Sequence, residues 1–317
     1  MNVLSPVKTL LKRILPSVTL MSLREGRTRM LALRDRFYSV EKDAFRQGLR
    51  ALGIRVGDVV FVHSSYDQMR SILATPTEVI EILCEVVGEA GTVVMPSFPA
   101  SNASQHQESP GRVFDVRRTP SGSGILTEVF RRMPGTERSL HPIYPVAARG
   151  GAAAWLVEHH DLCEIAFDEH SPFHKIYDCN GCVLRIGRFE PMTFRHLADY
   201  LIRGEIAYPI YNEQAMKVRV IGRFGEEQVV VTKDQNPDIG CDHGVVLKRM
   251  AREGRLRTAM VGRVPLALVR AREYVEAYHH YYRRGMFRHY RRSPSQGVTS
   301  SDSFGRGRNE RQHRAAP

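Results

Sequence analysis

The chain has 317 residues, of which 42% are hydrophobic and five are cysteine, and it carries a net charge of +12. That length can bury a substantial core in one large domain or two coupled lobes. The absence of any apolar run of about 18 residues excludes a membrane-spanning helix, and an odd number of cysteines argues against a secreted disulfide framework and for a reducing cytoplasm. The charge lies in the flanks, +6 over residues 1–36 and +7 over 283–317, leaving −1 for 37–282, so no groove for a phosphate backbone is expected in the body.

Residues 1–16 place Val3, Leu4, Val7, Leu10, Leu11, Ile14 and Leu15 at helical spacing among Lys8, Lys12 and Arg13, up to Pro16. Such a basic amphipathic helix packs on a body or touches an anionic membrane surface weakly, and both readings stay open. From Val40 the pattern becomes that of a folded body. Val40–Leu52 predicts a helix stopped at Gly53. Asp58–His63 is a buried-strand run cut off by Ser64-Ser65, Thr77–Val87 an amphipathic helix opening on Thr-x-x-x-Glu, and Thr92–Met95 the next strand. A strand–helix–strand unit of this length implies a right-handed crossover and a parallel pair in an α/β layer fold.

Residues 99–124 form a long polar stretch of the kind that carries function. Ile125–Arg132 reads as a helix, His141–Ala148 as extended, Ala152–His159 as helical and Val183–Ile186 as a strand. Phe194–Ile202 reads as a helix capped by Thr193. Residues 216–232 alternate around Gly225 as a β-hairpin, and Leu266–Tyr282 reads as a closing helix. The Ser/Gly/Arg-rich end after Pro294 has the composition of a disordered tail. The expected organisation is an N-terminal extension over 1–36, one catalytic domain over 37–285 and a basic tail over 286–317.

Acyl transfer to an amine requires a general base, a held nucleophile and donors for the developing oxyanion; the carrier's phosphates require N–H groups at a helix start or a small-residue turn. Four segments supply these residue types. In Val62-His63-Ser64-Ser65 a buried strand runs into two hydroxyls, at the end where α/β sheets form their ligand crevice. Thr119-Pro-Ser-Gly-Ser-Gly124 precedes a helix and has the donor density of an anion site, or of an ordinary capping loop. Leu140-His141-Pro142, followed by Asp168-Glu169-His170, offers a histidine and a carboxylate that can pair as base and orienting partner. In Thr193–Asp199, His196 and Asp199 stand at i and i+3 on one helical face. His141 ranks first as base, with Glu169 orienting it. A Cys179-x-x-Cys182 pair with Cys241-x-His243 has the residue types of a zinc site, but Asn180-Gly181 is a turn signal directly before a strand, and no metal is expected.

The order of these segments resembles the aminoglycoside 3-N-acetyltransferase (antibiotic N-acetyltransferase) family. GDVVFVHSS, GEAGTVVMPSF, FDVRRTPSGSG, FRRMPGTERSLHP, EHSPFHKIYDCNGCVLRIG and TFRHLADY stand in the family's order over residues 40–285. The resemblance implies a three-layer α/β/α sandwich, acetyl-CoA as co-substrate and direct transfer to an amine of an aminosugar or aminoglycoside-like acceptor. It implies catalytic roles for His141, Glu169 and His196, coenzyme A contacts at Ser64, Ser65, Thr119 and Ser121, and acceptor contacts at Asp168 and Asp199. The chain departs from the family where Asp199 replaces a usual Glu, where Asp168 and His170 replace glycines flanking the acid, and where Pro145 replaces a Ser. Resistance to an antibiotic and a role in surface-polysaccharide or natural-product chemistry therefore both fit, as does a homo-oligomer. The competing non-enzymatic reading is a binder of nucleic acid or anionic lipid through the two basic flanks; no specific nucleic acid is expected.

Overall fold

The computed structural model describes residues 37–100, 113–187 and 192–292, with Gly26 alone ahead of them. The expected amphipathic helix over 1–16 and the Arg-rich tail after 292 lie outside the described residues. Among the described residues no helix is long and apolar enough to cross a membrane.

A short strand β1, Val40–Glu41, leads into helix α1, Lys42–Leu52. Phe45, Leu49 and Leu52 recur at helical spacing and are buried, so a single stripe faces the core. Gly53 ends the helix at φ 104°, a left-handed conformation in which its N–H reaches back to the Leu49 and Arg50 carbonyls. Strands β2, Val59–Ser64, and β3, Ile72–Leu73, precede helix α2, Pro76–Val87, and strand β4, Thr92–Pro96. Helix α2 starts earlier than its Thr77-x-x-x-Glu81 pattern suggests. Thr75 is the N-cap, accepting from the Glu78 amide while the Glu78 carboxylate takes the Thr75 amide.

Strand β5, Val113–Asp115, helix α3, Ile125–Arg132, and strands β6, Glu137–Arg138, and β7, Val146–Gly150, follow. Next come helices α4, Ala153–Val157, and α5, Pro172–Asp178, strand β8, Cys182–Ile186, and helix α6, Arg195–Leu201. The last part holds β9, Met216–Ile221, β10, Glu227–Thr232, β11, Ile239–Cys241, α7, Val245–Arg252, β12, Arg257–Val261, β13, Val264–Arg270, α8, Ala271–Arg283, and β14, His289–Arg291. The hairpin over 216–232 is present as β9 and β10. The closing helix differs from its expected span: Val264–Arg270 is a strand, because the near-continuous apolar run VPLALV is covered on both faces of the sheet. Residues 141–145 are likewise a turn, and the strand begins only at Val146.

Seven strands form the central sheet in the order β12-β13-β8-β2-β4-β7-β6. Strand β2 runs parallel to both neighbours, β4 and β8, and the remaining pairs are antiparallel. Alternate side chains leave a strand on opposite faces. Val60, Val62, Val93, Met95 and Leu184 therefore pack against α1, α2 and α3, whereas Phe61, Val94, Val183 and Val269 pack against α4 to α8. This is the expected three-layer α/β/α sandwich. Strands β5, β9 and β10 make a small second sheet, and β11 pairs antiparallel with β14. The described fold thus runs past residue 285, because β14 buries His289.

Candidate active site

The parallel strands β4, β2 and β8 end side by side, with Ser64 at the carboxyl end of β2 and His63 and Ser65 beside it. On β2 the pleat turns His63 to the α4–α8 face, where it is buried and its Nε2 has no hydrogen-bond partner among the described residues. Burial, helped by the nearby Arg185 charge, pushes its imidazolium down to about 3. Ser64 and Ser65 follow, half-buried, and the Ser65 amide donates to the Ile186 carbonyl at 3.2 Å, tying this end of β2 to β8.

The Thr119–Gly124 loop reaches the same edge of the sheet through a bridge between Ser121 and Pro99. Its polar groups, however, hold the loop itself. Thr119 Oγ1 accepts from the Asp115 amide at 2.9 Å, and Ser121 Oγ pairs with Thr127 Oγ1 at 2.8 Å. The Ser121 amide donates to the Glu128 carboxylate at 2.7 Å, so an internal anion fills the position reserved for a phosphate. Burial works against ionising Glu128, but Arg131, the Ser121 amide and Arg132 together hold it below the ordinary carboxylate range. Of the four residues expected to contact coenzyme A, Ser64 and Ser65 keep hydroxyls with no described partner, and Thr119 and Ser121 are engaged.

His141 is a correction to the expected pairing. It is fully buried, and its Nδ1 accepts the amides of Ile143 at 3.2 Å and Tyr144 at 3.1 Å. The ring proton therefore sits on Nε2, which donates to Thr232 Oγ1 at 3.0 Å; that hydroxyl in turn donates to the Glu164 carbonyl. His160 stacks on the ring at 4.7 Å. Burial pushes the His141 imidazolium down to about 3. Both nitrogens are occupied in pinning a turn, and no lone pair is left for an amine. Glu169 does not orient it: its carboxylate is exposed and accepts from the Tyr200 hydroxyl at 3.4 Å.

His196 stands differently. Helix α6 begins at Arg195 with Phe194 as N-cap, and Thr193 contributes its carbonyl to the His196 amide rather than a side-chain cap. The imidazole lies against Phe167 at 5.4 Å and Tyr144 at 6.3 Å. Its Nδ1 meets the Gln235 carboxamide nitrogen, which donates to it; Nε2 becomes the basic nitrogen only when that carboxamide is turned over so that its oxygen accepts an Nδ1 proton. Burial first, then the electrostatic influence of Arg195 and of the neighbouring His243 and His289, drives its pKa well below the usual value. Asp234, next to Gln235, accepts from the Tyr144 hydroxyl at 3.2 Å, and burial pushes its carboxyl up to about 6. Sequence reasoning missed Asp234 and Gln235. Their one signal is a polar Lys-Asp-Gln directly after the strand run VVVT.

The expected acidic acceptor pocket of Asp168, Glu169 and Asp199 is not assembled. Asp199 points into the core, where it accepts from the Tyr278 hydroxyl at 2.5 Å and from His289 Nε2 at 3.1 Å, with Arg195 at 3.7 Å. Burial opposes its ionisation, yet those neighbours hold it below the ordinary carboxylate range. Asp168 is half-buried and accepts the His170 amide at 3.1 Å, as a turn-former does. The cysteine pair also stays apart from Cys241 and His243. Cys179 is exposed, and among the described residues the one cluster with mixed metal-ligand donors is Asp199, Cys241 and His289, in which His289 Nε2 bonds Asp199 and the Cys241 thiol meets the Tyr278 hydroxyl.

The sequence pattern that defines the family described as aminoglycoside 3-N-acetyltransferase matches residues 61–283. The chain belongs to this family. Among relatives of the aminoglycoside 3-N-acetyltransferases, it is 33% identical over 178 residues to the SPbeta prophage-derived aminoglycoside N(3')-acetyltransferase-like protein YokD of Bacillus subtilis. That alignment spans 51% of this chain and 65% of YokD, a little under two thirds of its length. With the aminoglycoside N(3)-acetyltransferase III of Serratia marcescens it shares 27% identity, over 72% of this chain and 91% of that one. Among solved structures, AAC-IIIb in a binary complex with CoASH superposes with a TM-score of 0.64 at 22% identity, covering 77% of this chain and 97% of that one. AAC-VIa bound to sisomicin gives 0.63 at 25% identity, with 77% and 97% covered. The aminoglycoside 3-N-acetyltransferase fold therefore extends over 77% of this chain in both superpositions.

Proposed function

We propose that the chain transfers an acetyl group from acetyl-CoA to an amino group of an aminosugar, in the cytoplasm, with His196 as the general base. Membership in an acetyltransferase family supports the reaction, and CoASH bound to one structural neighbour supports the donor. The observation that carries the base assignment is the placing of the His196 ring: Nδ1 is held by Gln235, and the ring lies against Tyr144 and Phe167.

The amine nitrogen attacks the thioester carbonyl carbon while His196 Nε2 takes the amine proton. The oxyanion forms near the β2 carboxyl end, where the Ser64 and Ser65 hydroxyls are the available donors. Collapse re-forms the carbonyl, breaks the carbon–sulfur bond and releases the thiolate, which recovers the proton. Asp234, through Tyr144 and its neighbour Gln235, fixes the groups around the ring. The relatives are aminoglycoside acetyltransferases, one of them bound to sisomicin; this chain acts on an aminosugar amine.

Thiol release from acetyl-CoA across a panel of aminosugars and aminoglycosides, with mass spectrometry of the product, tests the reaction. His196→Ala is expected to lower kcat by about 10²–10⁴-fold while acetyl-CoA still raises Tm. His141→Gln is expected to lower Tm first. Full turnover in His196→Ala would remove the ring from the mechanism.

A further inference from the structure

Strands β11 and β14 form a two-stranded ribbon in which Cys241 and His289 are direct register partners. Directly opposed residues send both side chains to one face, with Cβ atoms about 4.5–5.5 Å apart. Onto this pair helix α6 brings Asp199 and helix α8 brings Tyr278. Three metal-ligand types thus converge from three separate elements. A carboxylate oxygen of Asp199, the Cys241 thiol and a ring nitrogen of His289 lie within 4.8 Å of one another. Asp199 and His289 are buried and Cys241 is half-buried. Cys241 belongs to the zinc-type set that the sequence offers, but the fold joins its thiol to a different pair. Cys179 bonds the Ile176 carbonyl and Cys182 the Asp58 carboxylate instead.

A mixture of thiolate, imidazole and carboxylate suits a cation of borderline softness, and zinc takes all three. Bonds of about 2.0–2.3 Å in a tetrahedron put the ligand atoms about 3–4 Å apart. Asp199 Oδ1 and His289 Nε2, at 3.1 Å, already stand at that separation. The Tyr278 hydroxyl lies 2.5 Å from Oδ1 and 3.6 Å from Cys241 Sγ, where a fourth, oxygen ligand belongs. Arg195 meets the other carboxylate oxygen, Oδ2, at 3.7 Å, so Oδ1 is the atom that faces the centre. The imidazole is able to turn a lone pair inward. His289 Nδ1 is buried with no hydrogen-bond partner among the described residues, so no second group fixes the ring proton on Nε2.

We propose that Asp199, Cys241 and His289 form a structural site for a divalent metal ion of the zinc class, with Tyr278 at the fourth position. On binding, the His289 proton moves from Nε2 to Nδ1, and the Cys241 thiol gives its proton to solvent. The ion would tie the β11–β14 ribbon to the helix that carries His196. The full chain, stripped with a chelator under reducing conditions, is titrated with Co(II). Thiolate ligation of Co(II) gives an ultraviolet charge-transfer band, and tetrahedral ligation gives visible d–d bands. Both are expected to saturate at a single equivalent and to be bleached by Zn(II). Zn(II) is also expected to raise the Tm of the stripped chain by about 5 °C. Cys241→Ser is expected to abolish the charge-transfer band and to weaken Co(II) by at least about 100-fold, more than the loss of an outer partner costs. Cys179→Ser, at an exposed position, is expected to leave band and affinity unchanged. A stripped parent chain without the thiolate band, a band that survives in Cys241→Ser, or one that is lost in Cys179→Ser overturns the proposal. The parent spectrum decides even where a variant fails to fold.

Discussion

The two faces of the central sheet are built from the same strands and do different work. Toward α1, α2 and α3 the buried side chains are almost all aliphatic, with Phe45 and Phe130 as the aromatic exceptions. Toward α4 to α8 the core is dense in Phe and Tyr, and His63, His141, His160, Asp199 and Arg195 are buried on that side or at its margin. A purely aliphatic layer has no polar group to satisfy, so volume and shape alone decide its packing. A layer with buried titratable groups stays folded only if each finds a partner, and the few that do not, such as His63, mark where a ligand is to be sought. The difference teaches that the buried histidines and Asp199 gather on one side of a sheet whose other side is simply well packed.

Mutations on the two sides should separate. The largest loss is expected on the chemical side: Asp199→Ala leaves His289 and Arg195 without their carboxylate and should cost about 3–5 kcal/mol in denaturant unfolding. It should depress acetyl transfer as well, because Asp199 lies on the helix that carries His196. An Asp199→Ala protein as stable as the parent would show that the buried network is dispensable. On the aliphatic side Leu49→Ala should cost about 2–5 kcal/mol through the cavity it opens, yet leave kcat unchanged at temperatures where the chain stays folded. A change in kcat there would break the division between the faces.

The third effect is read as a slope against pH. His63 and His141 are held neutral with folded-state values of about 3, below the unfolded value of about 6.5. Between those limits the unfolded chain binds the extra proton, so stability is full above about pH 6.5 and is lost as pH falls toward about 3, by about 1.4 kcal/mol per pH unit for each ring. Replacing His141 with Gln should make the slope of unfolding free energy against pH shallower by that amount between pH 4 and 6, read by urea titrations at successive pH. An unchanged slope would mean that His141 is protonated in the folded chain.

Much of the sandwich was legible from residue pattern. Helix α1 with its Gly53 stop, the buried β2 run, helix α3 and the 216–232 hairpin are local signals of period, cap and turn, and they stand where that chemistry places them. Strand β13 was misread because an apolar run covered on both sides carries no period to separate strand from helix. The site was less legible for a related reason. A histidine's role depends on what meets its two nitrogens, and the partners of His141 lie at positions 143, 144 and 232, those of His196 at 235. Spacing along the chain could pair His141 with Glu169 but could not see that Nδ1 was already taken by two amides. The family resemblance named both rings as candidates, and only their surroundings tell them apart.

Strand β14 has a consequence in the order of synthesis. His289 is among the final described residues to leave the ribosome, and it supplies one of the donors to Asp199, on the helix that carries His196. A chain emerging from its N-terminus can assemble α1, β2, α2 and β4 long before, but helix α6 must wait, with a carboxylate only partly satisfied, until β14 pairs with β11. The helix that carries the proposed base is thus secured late, and a nascent chain stalled short of residue 289 holds most of its sheet and an Asp199 without its His289 donor.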